Sequence, residues 1–149
     1  MKLSVFQENL VHALTTVSRS VTTKAQLPIL ANILLATDKG RLKLSATNLE
    51  TGINFWVGAK IEKEGATSIP AKILNEYVAS LPAGKIDLEL KENLMFLNSG
   101  NYRASFICLP AGEFPNVPTL SGEPKISLQS EAFSKVISQV AFAAAQDEG

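Results

Sequence analysis

This chain is poor in the residue types that most enzymes use for chemistry. Among 149 residues there is one histidine, His12, and one cysteine, Cys108. A single cysteine excludes an internal disulfide and any cysteine-based zinc site, which suits a reducing cytoplasm. A single histidine excludes a histidine-pair metal motif, and the two do not suggest a Cys-His nucleophile pair. None of the nine glycines opens a helix in the strand-loop-helix spacing of a phosphate loop. Glu62, Glu64, Asp87, Glu89 and Glu92 do not recur at a spacing that would aim two carboxylates at one substrate. No apolar run approaches the ~18 residues of a membrane span, and no small-residue cleavage site follows Met1-Lys2. The chain carries no excess of charge either, with 14 basic and 14 acidic side chains. Any affinity for nucleic acid must therefore come from how the cations are placed.

What is present is a folded-domain composition, 46% hydrophobic and 19% charged, with a repeat inside it. Lys2-Leu3-Ser4-Val5 and the helix-patterned stretch to Val21 recur as Lys125-Ile126-Ser127-Leu128 and a stretch to Ala144. Lys2, Ser4, Glu8 and Val17 are matched by the identical Lys125, Ser127, Glu131 and Val140, and Leu10, Ala13 and Leu14 by Phe133, Val136 and Ile137. Both copies pass from strand period to helix period at the same step and keep the apolar face in register. The pattern predicts a first domain over residues 1–120 and the start of a second, a strand and a helix, over 121–149.

Within the first domain the pattern runs as strand, helix and three strands, twice. Residues 2–6 alternate, and Leu10, Ala13, Leu14, Val17 and Val21 then form one apolar helix stripe. Leu27-Pro28 stops helix propagation. Strands are expected over Ile29–Thr37, Arg41–Ala46 and Gly52–Ile61, the first two joined at Asp38-Lys39-Gly40 as a hairpin. A short strand, Ala66–Ile69, leads to a helix opened by Pro70 with Ile73, Leu74, Tyr77, Val78 and Leu81 as its stripe. Strands follow at Lys85–Lys91, Asn93–Asn98 and Tyr102–Cys108. Pro110 to Pro124 is rich enough in proline and glycine to read as a linker. The fold class is α+β, with helices on one face of antiparallel sheets.

The helix faces opposite the stripes hold the remaining cations. His12 and Arg19 lie there on the first helix, Lys72 on the second and Lys135 on the repeated one, where it takes the place of His12. Glu8 and Glu76 share these faces and Phe142 stands at the equivalent of Arg19, so ordinary solvated helix surface explains them as well. A few cations per helix would hold a duplex weakly and without sequence preference. Cys108, between Ile107 and Leu109, reads as a small packing residue.

The ordered set Met1-Lys2-Leu3-Ser4-Val5, Leu27-Pro28-Ile29-Leu30 with Asn32 and Leu34-Leu35, Thr47-Asn48-Leu49-Glu50, Ile69-Pro70-Ala71-Lys72 and Leu109-Pro110-Ala111-Gly112-Glu113-Phe114-Pro115 resembles the bacterial sliding clamp family, the beta subunit of the replicative DNA polymerase III. The resemblance implies a DNA-clamp fold and a processivity factor with no catalytic role and no cofactor. In that family two chains of three domains close head to tail into a homodimeric ring around double-stranded DNA, with helices lining the hole. The implied partners are duplex DNA through its backbone, a second copy, and the polymerase and clamp loader through domains beyond those seen here; no membrane is implied, and the setting is cytoplasmic. By the same resemblance Lys24 and Lys72 match DNA-contacting positions, Lys24 standing where arginine is common. Arg103, Ala104 and Phe106 match the edge that meets the other chain, or simply pack their sheet. The polymerase-peptide pocket lies between the family's second and third domains, so this stretch alone is expected neither to close a ring nor to hold such a peptide. A protein-interaction domain that uses its sheet edges and never meets DNA is the competing reading.

Overall fold

The computed structural model describes residues 1–21, 27–118 and 126–144. The chain separates into two compact units, Met1–Thr119 and Leu120–Gly149. In the first unit β1 (Lys2–Phe6) runs directly into α1 (Gln7–Val17) and a 3-10 turn, Ser18–Ser20. Then come β2 (Asn32–Asp38), β3 (Arg41–Thr47), β4 (Gly52–Gly58) and β5 (Lys60–Lys63). The second half repeats the order with β6 (Ala66–Pro70), α2 (Ala71–Ser80), β7 (Lys85–Lys91), β8 (Leu94–Ser99), β9 (Tyr102–Ile107) and β10 (Leu109–Pro110).

The halves exchange strands. One five-stranded antiparallel sheet has the order β5-β1-β7-β8-β9 and the other β10-β6-β2-β3-β4. Each sheet therefore takes three consecutive strands from one half, and the first strand and a short edge strand from the other. Neither half can complete a sheet alone, so both must fold together around one core. That core gathers Leu3, Val5, Ile86, Leu88, Met95 and Leu97 from one sheet, Ile33, Leu35, Leu42, Leu44 and Val57 from the other, and Leu10, Leu14, Val17, Leu74 and Val78 from the helices.

Four local expectations differ from the structure, each for a physical reason. Residues Pro28–Ala31 form a 3-10 turn, not the start of β2, because proline with no N–H suits the first position of such a turn. The strand expected over Gly52–Ile61 breaks at Ala59, where the chain leaves one sheet at β4 and joins the other at β5. The strand expected through Cys108 ends at Ile107 for the equivalent reason, β10 pairing with β6. The stretch after Pro110 is not a bare linker over its first residues. Phe114 and Val117 are buried, and Val117 lies so close to Gly52 that a Cβ there would be 2.7 Å from its Cγ1. Asn54 also donates its side-chain amide to the Pro118 carbonyl at 3.4 Å.

Turns follow their sequences. Lys39 and Gly40 both have positive φ, 48° and 75°, which gives the two-residue turn that joins β2 to β3 without splaying them. In the Thr47-Asn48-Leu49-Glu50 loop, Asn48 Oδ1 accepts the backbone N–H groups of Glu50 and Thr51, and the Thr47 hydroxyl donates to the Thr51 carbonyl. This motif shapes a loop.

In the second unit α3 (Ser130–Val140) is followed by a 3-10 turn, Ala141–Ala143. Gln7 maps onto Ser130, Val17 onto Val140 and Ser18 onto Ala141 in the repeat, so both copies start and tighten at equivalent residues. Ile126–Gln129, the counterpart of most of β1, has no strand partner among the described residues.

Candidate functional site

The two helices of the first unit lie side by side and antiparallel. At one end Gln7, the first residue of α1, donates its buried Nε2 to the Val78 carbonyl near the end of α2, at 2.9 Å. At the other end Ser18 and Val21 line a shallow groove with Ala71, Lys72, Asn75 and Glu76 from the start of α2. Leu10, Ala13, Leu14 and Val17 of α1 and Ala71, Leu74 and Val78 of α2 are buried. Both helices consequently turn their remaining side chains to the same open layer.

The sequence-predicted residues distribute over this layer as follows. Arg19, in the 3-10 turn that ends α1, and Lys72, in the first turn of α2, are both exposed. Neither forms an ion pair among the described residues. His12 is exposed on α1 and stands edge-on to the Phe55 ring of β4, with centroids 5.5 Å apart and an interplanar angle of 80°. Lys24 lies outside the described residues. Lys135 is exposed on α3, in the second unit. Glu8 and Glu76 are exposed as well, so the layer is mixed in charge.

Two groups at the groove were not foreseen from sequence. Ser18 Oγ and Asn75 Oδ1 are buried from water and lack a hydrogen-bond partner among the described residues. Buried polar atoms are nearly always paired, and both of these belong to residues that line the groove beside Lys72. Nothing in the local pattern distinguishes Asn75 from any other polar helix residue, since its burial depends on α1 lying alongside.

The interface candidates sit on β9, whose outer edge is unpaired because it ends its sheet. Arg103 is exposed and Ala104 half-buried. Phe106 turns inward, buried against the Tyr77 ring of α2 with centroids 5.6 Å apart. Its side chain packs onto α2. The side chains that β9 leaves outside are Tyr102 and Ile107, with Arg103 and Ser105. β4, the other long edge, ends the second sheet.

Among the described residues the perturbed charged groups lie on β1, β5 and β7 of the first sheet. Lys2 and Glu62 pair at 2.6 Å, which raises the lysine pKa and lowers that of the glutamate. Lys85 at 2.8 Å and the Ser4 hydroxyl at 2.7 Å hold the Asp87 carboxyl below its usual range. Burial pushes the Cys108 thiol up, away from reactivity. Among the described residues no three His, Cys, Asp or Glu side chains gather as a metal site, and no helix is long and apolar enough to cross a membrane.

Residues 1–118 match the family described as DNA polymerase III beta subunit, N-terminal domain. The beta sliding clamp of Synechococcus elongatus is 36% identical over 99% of this chain and 40% of its own length. That of Escherichia coli is 32% identical over 99% of this chain and 41% of its own. Among solved structures, the Caulobacter crescentus pol III beta superposes with a TM-score of 0.90 at 31% identity, covering 100% of this chain and 40% of that one. A putative DNA polymerase III beta subunit from Eubacterium rectale reaches 0.91 at 27% identity, covering 99% and 40%. The chain thus spans about two fifths of the length of the relatives it matches.

Proposed function

The chain belongs to the family of the DNA polymerase III beta subunit, N-terminal domain, and from that membership we propose that it is part of a sliding clamp. In this proposal residues 1–120 are the first clamp domain and 121–149 open the second. Two copies of the longer chain close head to tail into a ring that surrounds duplex DNA and tethers the replicative polymerase. The carrying observation is the two-helix layer. α1 and α2 put their apolar stripes on the sheets and leave Arg19, Lys72 and His12 on one open face.

A sliding contact has to attract the duplex and yet be quickly broken. Isolated, water-screened cations meet that need, because each phosphate contact is weak at physiological salt and none reads a base. Lys24 and Lys135 join the same set by sequence equivalence. The unpaired backbone edge of β9, with Arg103 and Ala104, would meet the partner chain. A long open edge invites another strand and is normally covered in a stable protein. The role is that of an accessory subunit in the cytoplasm, without catalysis of its own. The polymerase and clamp loader would bind elsewhere on the ring.

Fluorescence anisotropy with a labelled 20-base-pair duplex at low salt tests this. Two unrelated duplex sequences are expected to bind alike. Lys72→Glu, Arg19→Glu and Lys24→Glu should each weaken binding and reduce the salt slope by about 1. Binding that is unchanged when all three charges are reversed would sink the site assignment.

A further inference from the structure

A second recess lies at the start of α1, where the chain crosses from one sheet to the other. It is a groove of about 490 Å³, lined by Ser4, Val5, Phe6, Asn9, Gly58, Ala59, Lys60 and Lys85. Phe6 projects outward from β1 and is 61% exposed. Pairing places it beside Lys85 of β7, and its neighbour on the same face, Ser4, beside Lys60 of β5. The strand break at Ala59 leaves Gly58 and Ala59 with almost no side chain, which opens the recess next to the ring.

The lining carries two cations, one of them with the Asp87 carboxylate against it. Lys60 and Lys85 are its only ionisable groups, and Lys60 forms no ion pair among the described residues. Lys85 is held at 2.8 Å by Asp87, whose same oxygen accepts the Ser4 hydroxyl. This contact fixes the ammonium at the rim while two of its three donors stay free. The next acid along β5, Glu62, is occupied by Lys2. An apolar floor with a cation on either side is complementary to a large apolar side chain flanked by carboxylates.

We propose that this groove docks a short acidic segment of another protein, with one aromatic or large aliphatic side chain against Phe6 and carboxylates on Lys60 and Lys85. The contact reaches the first turn of α1 at Asn9 but uses neither Arg19, Lys72 nor the β9 edge. It would let the chain hold a partner while the helix layer faces a duplex.

The 15N-labelled 149-residue chain, titrated with the peptide Ac-Gly-Asp-Phe-Asp-Gly-NH2, provides the test. Amide shifts should be confined to Ser4–Asn9, Gly58–Lys60 and Lys85, with a Kd on the order of 1 mM. The Asp-Ala-Asp and Lys-Phe-Lys analogues should bind about tenfold more weakly. Phe6→Ser should weaken the Asp-Phe-Asp peptide, and the double variant Lys60→Glu/Lys85→Glu should reverse the preference in favour of Lys-Phe-Lys. That reversal requires a folded groove, so it separates a lost charge from a lost fold. Equal response to all three peptides, or shifts centred elsewhere, would overturn the proposal. So would shifts of these same amides on diluting the chain alone, because the occupant would then be a second copy.

Discussion

α1 and α3 carry one pattern and meet two different fates. Both have eleven residues, both start after an extended residue, and both end in a 3-10 turn at equivalent positions. Leu10, Ala13, Leu14 and Val17 of α1 are each 0% exposed, whereas the matching Phe133, Val136, Ile137 and Val140 of α3 are between 47% and 58% exposed. The helix itself is thus written locally, by stripe spacing and by where the strand period ends. What the stripe contributes to stability is not local. It depends on a sheet to receive it, and α1 has β3 and β4 beneath it and α2 alongside.

The sharpest way to break this comparison is to truncate the same stripe position in both helices. Leu14→Ala should cost about 2–5 kcal/mol in urea unfolding, as expected for a fully buried leucine, while Ile137→Ala should stay within about 0.5 kcal/mol. Comparable losses would mean that α3 contributes to the cooperative core. A second pair tests the polar starts. Gln7→Ala removes a buried amide donor from the Val78 carbonyl and should cost about 1–2 kcal/mol, whereas Ser130→Ala should be near neutral. The smallest effect belongs to neither helix. Asp87 titrates below its ordinary value of 3.8, held first by Lys85 and then by Ser4. A lowered carboxylate pKa stabilises the fold above the unfolded value and loses that contribution as pH falls through the folded one. Asp87→Asn should therefore cost less than about 1 kcal/mol at neutral pH, since the pair is half exposed, and nothing in acid. Unfolding curves at neutral pH and in acid check this.

The comparison also marks what the sequence could carry. The two helices, the α1 stripe and the β2–β3 turn were legible because each follows from a period or from a residue such as Gly40 at positive φ. Ile73, expected in the α2 stripe, is instead 58% exposed, because α2 buries the face of Ala71, Leu74 and Val78. The exchange of first strands between halves was not, because pairing β1 with β7 is a choice between distant segments that share the same alternation. The breaks at Ala59 and Cys108 follow from that exchange and were hidden with it. On the helix layer, Arg19 and Lys72 were readable as exposed, since amphipathicity predicts exposure. The rest needed the tertiary arrangement: His12 against Phe55, Asn75 buried beside Ser18, and Phe106 turned onto Tyr77.

The central claim, that the helix layer meets duplex DNA while the sheet edges meet protein, is tested most directly by amide shift mapping of the chain against a 20-base-pair duplex at low salt. Shifts are expected on the exposed faces of α1 and α2, around Arg19 and Lys72, and should fade as salt rises. Shifts gathered on β9 and β4 with the helices silent, or none at any salt, would contradict it.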